Sequence, residues 1–207
     1  MLYLAKADVG FKRDLYAFAV AHVEAGKMIV DLISSWQGSR KKPLNSEEIA
    51  GEVKELLSLY GLDSLFGDPY ADVPIVRDYE NIGIRFVIEA QTEEQNFDMF
   101  RNFKALIRRG QIDLPDDPVM RKDVLALQSK KRGNRFKIEA PDRLGFHDDV
   151  SNVLANLSMK LMPMSSAVDI DRLNASAMER RGAAALQDWR EPGEEPEFGG
   201  GMMAEVF

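Results

Sequence analysis

Cysteine is absent from the 207-residue chain, which excludes a disulfide framework and a thiolate metal site. Histidine is scarce: His22 and His147 are the only two, so zinc chemistry is poorly supplied. Oxygen ligands remain, and they suit a hard cation such as magnesium or manganese. No apolar run approaches the ~20 residues that a membrane span needs. The opening MLYLAKADVG lacks the charged, apolar and small-residue succession of a signal peptide. A soluble, intracellular protein with no membrane partner is expected, long enough for one well-buried domain and a tail.

A basic excess is also missing, since the net charge is −7. The imbalance is local. Residues 164–207 carry nine acidic and four basic residues, which leaves 25 acidic against 23 basic in the preceding 163. In that near-neutral part the basic residues are clumped, at SRKK (39–42), at Arg108 and Arg109, and at SKKRGNRFK (129–137). Such clumps usually form a solvated face, and they are also what contact with a phosphate backbone requires.

The order of elements is legible from periodicity. LYLAKADV (2–9), LYAFAVAHV (15–23) and MIVDLISSW (28–36) predict an antiparallel three-strand meander with Asp8 near the end of its first strand. The capping pattern NSEE (45–48) opens a helix with Ile49, Val53, Leu56, Leu57 and Tyr60 at helical spacing, stopped at Gly61. LDSLF (62–66) is a short strand running into GDPYAD, where Pro69 suits a first helical position. Asp68 then lies between a strand and a helix. IRFVIEA (84–90) is a further strand. A helix capped by Thr92 and Gln95 carries Phe97, Phe100, Phe103 and Ile107. DDPVMRKDVLAL (116–127) predicts a helix with Pro118 first, and SKKRGNRFKIEA (129–140) a basic hairpin turning at Gly133 and Asn134. The last helix buries Val150, Val153, Leu154, Leu157 and Leu161 on one stripe. A domain over 1–162 and a flexible acidic tail over 163–207 follow, because EPGEEPEFGGGMMAEVF cannot bury enough apolar surface to fold alone. A short amphipathic piece at AMERRGAAALQDW (177–189) suits a helix that docks on a partner.

GFHDDVSNVLANL places two adjacent aspartates before that last helix, where one suffices as an N-cap. At roughly 100° per residue, Asp149 falls at the edge of the apolar stripe and Asp148 on the opposite side. In an α/β order, strand ends collect active sites. If the first and fourth strands are parallel neighbours, Asp8 and Asp68 emerge at one edge, and the closing helix brings Asp149 beside them. Three close carboxylates need a proton or a cation. Two divalent ions about 4 Å apart supply it, and such a pair promotes phosphoryl displacement. Taken singly, Asp8 reads as a turn-former before Gly10, Asp68 as a helix cap before proline and Asp149 as part of a capped helix start.

ADVGFKRDLYAFAV, FGDPYAD, MFRNFKALIRRGQIDLPDDP and GFHDDVSNVLANL together resemble the C-terminal nuclease domain of the large subunit of tailed-bacteriophage terminases. The resemblance covers about residues 1–162. It implies a ribonuclease H-like mixed sheet flanked by helices, and a metal-dependent endonuclease that cuts double-stranded viral DNA during genome packaging in the host cytoplasm. It carries the metal and catalytic roles to Asp8, Asp68 and, through the His-x-Asp pattern, Asp149, with Asp148 as an auxiliary ligand. Two divalent ions, magnesium or manganese, are the implied cofactors. Portal and small terminase subunit are the implied partners of the full-length protein. Lys130, Lys131, Arg132 and Arg135 on the basic hairpin are expected to contact DNA phosphates. The family's packaging ATPase is not represented, since the chain has no G-x-x-x-x-G-K-[ST] loop, so an isolated nuclease domain without ATP hydrolysis is expected. A junction resolvase, a transposase core or a non-catalytic assembly module are the rival readings.

Overall fold

The computed structural model describes residues 1–10, 15–39, 41–68, 73–132, 135–141 and 147–163. The expected acidic tail, the docking helix at 177–189, Pro69 and the hairpin turn at Gly133 and Asn134 lie outside the described residues, as do the side chains of Lys131, Arg132 and Arg135.

The meander is β1 (Tyr3–Asp8), β2 (Leu15–Glu24) and β3 (Lys27–Gln37), paired antiparallel throughout. Then follow α1 (Ser46–Leu59), β4 (Ser64–Gly67), α2 (Val73–Asn81), β5 (Arg85–Ile88) and α3 (Glu93–Arg108). The chain continues through β6 (Ile112–Asp113), α4 (Pro118–Ala126), β7 (Gln128–Arg132), β8 (Arg135–Glu139) and α5 (Asp149–Leu161). One mixed sheet has the order β5-β4-β1-β2-β3-β6, and β7 and β8 form a separate antiparallel ribbon. β4 is parallel to both β1 and β5, as crossover through a helix requires. The expected ribonuclease H-like fold class, an antiparallel meander extended by parallel strands and flanked by helices, is what the chain adopts.

Local signals set these boundaries. Thr92 and Gln95 form a reciprocal capping box at the start of α3. Asp117 caps α4 through the Met120 N–H, with Pro118 in the first turn. Gly61, just past α1, has φ +66°, a left-handed conformation that stops a helix at least cost with glycine. β6 was not expected. Its two residues pair in parallel with Met28 and Ile29, and so short a strand has no period to read.

Each face of the sheet has its own core. On one, Ala5, Ala7, Tyr16, Phe18 and Val20 meet Ile49, Val53 and Leu57 of α1 and Ile75 and Tyr79 of α2. On the other, Ala17, Ala19 and Ala21 of β2 meet Phe100 and Phe103 of α3 and Val150, Val153, Leu154 and Leu157 of α5. The three alanines let α5 lie close against β1 and β2. Because strand side chains alternate, Leu4, Lys6 and Asp8 share this second face of β1. No helix among the described residues is long and apolar enough to cross a membrane.

Candidate metal centre

Asp8 is the last residue of β1, paired with Ala17, so it ends a strand rather than forming a turn. Asp68 directly follows β4. Since β1 and β4 run parallel with Lys6 opposite Phe66, both carboxylates leave the sheet at the same edge, as the sequence order required. The next described helix begins at Val73, and the cap reading of Asp68 before Pro69 falls on residues outside the described ones.

The two aspartates at the start of α5 both bond to other elements. Asp149 Oδ2 accepts the Leu15 N–H of β2 at 3.0 Å and lies 3.7 Å from His147 Nδ1. Asp148 makes no side-chain cap bond; its Oδ2 accepts the Ala140 N–H, just past β8, at 3.3 Å. The cap comes from α4, where buried Asp123 accepts the Val150 N–H at 3.3 Å. The expectation that Asp148 projects from the far side of the helix is corrected here. Its φ of −120° and ψ of 7° are not helical, so extending the helical spiral one residue backward misplaces it. Its negative charge helps to raise both Asp8 and Asp123.

Asp8 carries the electrostatic signature of the cluster. Burial, then repulsion from Asp68, push its carboxyl up to about 7, with Asp148 adding to the rise. Asn152, one turn into α5, opposes this by donating from Nδ2 to Asp8 Oδ2 at 2.6 Å, and the charge of Lys6 opposes it as well. Lys6 Nζ lies 3.2 Å from Asp68 Oδ1, and its side chain is 0% exposed. Asp123 is raised to about 7 as well, chiefly by burial, against the hydrogen bond from Val150. At the far end of α5, Lys160 Nζ sits 2.5 Å from Glu89 Oε1, beyond β5, and 3.9 Å from the Phe66 ring centroid. The helix is thereby fastened to the same sheet edge.

Lys6, Asn152 and Asp123 were missed in the sequence, although each left a trace. Lys6 is the one cation inside an apolar strand, two residues before Asp8. Asn152 stands four residues after Asp148. Asp123 shares a helical stripe with Met120.

The residues suit a divalent cation in their chemistry but not in their present grouping. The donor set fits, because crowded carboxylate oxygens, whose repulsion helps to raise Asp8, are what a hard cation relieves. The arrangement is not preassembled: among the described residues, no three His, Asp or Glu side chains are grouped so as to hold an ion. Lys6 and Asn152 engage Asp68 and Asp8 instead.

The basic hairpin packs its Ile138 into the core beneath α3 and α5. Lys130 and Lys137 face each other across the ribbon and lie 3.0 and 2.6 Å from the Glu139 carboxylate. Burial alone pushes Glu139 upward, but hydrogen bonds from Lys137 and Lys130 outweigh it and hold the carboxyl down to about 2.

No protein-family model matches the chain, and no curated protein matches it. Solved structures do. The large terminase nuclease from thermophilic phage G20c superposes with a TM-score of 0.65 at 19% identity, over 77% of this chain and 81% of that one. The same nuclease with bound magnesium gives a TM-score of 0.64 at 18% identity, over 77% and 81% of the two chains, and with bound cobalt 0.61 at 18%, over the same shares. The large terminase of bacteriophage HK97 gives 0.63 at 13% identity, over 75% of this chain and 39% of that one. The fold of this chain is therefore that of large terminase nuclease domains.

Proposed function

We propose that the chain is a metal-dependent endonuclease domain that hydrolyses double-stranded DNA during viral genome packaging. The observation that carries this reading is the meeting of Asp8 and Asp68 at one edge of parallel β1 and β4, with the start of α5 beside them and Asp8 raised to about 7. Shared fold with nucleases that bind magnesium and cobalt supports it.

In this reading Asp8, Asp68 and Asp149 are the ligand carboxylates, and Asp148 is an auxiliary ligand. Bound magnesium or manganese, as a pair of ions, supplies an activated water and neutralises the leaving oxygen of the phosphodiester. Asn152 holds the Asp8 carboxylate in one orientation. The Leu15 N–H does the same for Asp149 through its Oδ2. The hairpin side chains of Lys130, Lys131, Arg132 and Arg135 contact the DNA backbone without reading its sequence. Residues 163–207 serve attachment, with portal and small terminase subunit as partners of a full-length protein in the host cytoplasm.

The test is plasmid nicking in manganese by the alanine variants of Asp8, Asp68, Asp148 and Asp149, alongside manganese titration by calorimetry. Loss of both cutting and metal binding in Asp8→Ala and Asp68→Ala is expected, by about a thousandfold or more in rate. Asp149→Ala is expected to join them and Asp148→Ala to be milder; the reverse result moves the third ligand to Asp148. The absence of a preassembled three-acid group favours a second reading, a binding module whose acids are structural. A parent protein that neither takes up metal nor cuts decides for that module, whereas normal cutting by all four variants shows that cleavage does not use these acids.

A further inference from the structure

The ammonium of Lys6 is entirely buried, and the carboxylate of Asp68 is its ion-pair partner at 3.2 Å. A buried lysine needs such a partner, because an unpaired ammonium away from water is costly. The position is not incidental to the fold. Lys6 lies on the same face of β1 as Asp8, beneath α5, in a strand whose other face is filled by Ala5 and Ala7. Its charge acts on Asp8 as well as on Asp68. Asp8, Asp68 and Asp148 bring three carboxyl groups to this edge, and Lys6 brings one ammonium from inside the protein.

We propose that Lys6 is a built-in counter-cation that competes with divalent ions for the Asp68 carboxylate. It balances the acids while no metal is present, which lets the domain fold around them. It also weakens metal binding, because a fixed positive charge a few ångströms from a divalent ion is repelled at the effective dielectric of a protein interior. Lys6 is a positioning residue, since the buried ammonium has no path to a DNA phosphate. This inference rests on the metal-centre reading above.

Lys6→Met, which keeps the length of the side chain and removes its charge, is the decisive variant. Its Kd for manganese, measured by calorimetry, is expected to tighten about tenfold or more, while its melting temperature in EDTA falls and is restored by manganese. A residue with only a packing role cannot tighten metal binding when it is removed. An unchanged or weaker Kd in the variant, with normal binding in the parent protein, overturns the role of Lys6 and leaves the metal centre standing. No binding by the parent overturns both. A measurement that does not depend on the variant folding is the Lys6 Nζ signal of the parent protein, followed by NMR during magnesium titration. It is expected to shift with the midpoint of metal binding, and a signal that stays put overturns the proposal.

Discussion

The two faces of β1 obey different rules. Toward α1 and α2 the strand presents Ala5 and Ala7, which pack among aromatic and aliphatic side chains. That side's polar atoms pair with one another, as in the buried hydroxyl contact between Tyr16 and Tyr79. Toward α5 the same strand presents Lys6 and Asp8, and the polar pairs there involve ionisable groups instead. One face is therefore stabilised mainly by apolar area removed from water, and the other keeps charges at a point of close helix approach. Adjacent residues of one strand thus separate an apolar surface from a charged one by no more than the alternation of the pleat.

The strongest way to break that separation is Gly67→Ala. A Cβ at Gly67 meets the Phe86 ring at 1.9 Å, so either the ring or the end of β4 must move. A destabilisation of about 3 kcal/mol is expected, which for a domain of this size lowers the melting temperature by roughly 10 °C. Because Asp68 is the next residue, weaker manganese binding should accompany it, so a packing error on one face becomes a chemical error on the other.

Next is the pH dependence of stability in EDTA. The Asp8 carboxyl is raised from 3.8 to about 7 on folding, so between those values the folded state binds more protons than the unfolded one. Stability is then greatest below about pH 4 as far as this group is concerned, and it falls as pH rises toward 7. Asp123 behaves alike, having the same shift. Denaturant melts from pH 4 to 7 should show this decline, and Asp8→Asn should remove the part due to Asp8. A flat profile in the parent protein contradicts the charged character of this face.

A smaller effect belongs to the apolar side. Tyr79→Phe removes the buried hydroxyl contact with Tyr16, at a cost of about 1 kcal/mol. Chemical denaturation should show that loss, with manganese affinity unchanged. The smallest effect on the fold comes from replacing Lys130, Lys131, Arg132 and Arg135 by alanine. Duplex DNA binding should weaken and its salt dependence flatten, and the melting temperature should stay near that of the parent.

Sequence patterning revealed much of the fold because its signals are local. The capping box at Thr92 and Gln95, the stripes of α1, α3 and α5, and the alternation of the meander are read within a few residues of one another. The placement of Asp8 and Asp68 was legible for a related reason, since Asp8 ends a strand, Asp68 directly follows one, and the strand order joins them. The partners were not legible. The bonds of Asp123 to Val150, Lys6 to Asp68 and Asn152 to Asp8 join residues far apart in the chain, and no periodicity encodes such pairs. The side chain of Asp148 was misplaced for the converse reason, as a local rule was extended past the helix to which it applies.

The bonds of Asp8 to Asn152 and of Leu15 to Asp149 span 144 and 134 residues. Contacts of such separation form only after a long loop has closed, so they come late in folding. During translation, a chain that has not yet reached residue 152 carries both early aspartates but has no last helix to set beside them. The edge at which Asp8 and Asp68 meet the last helix is thus among the last features of the fold to be completed.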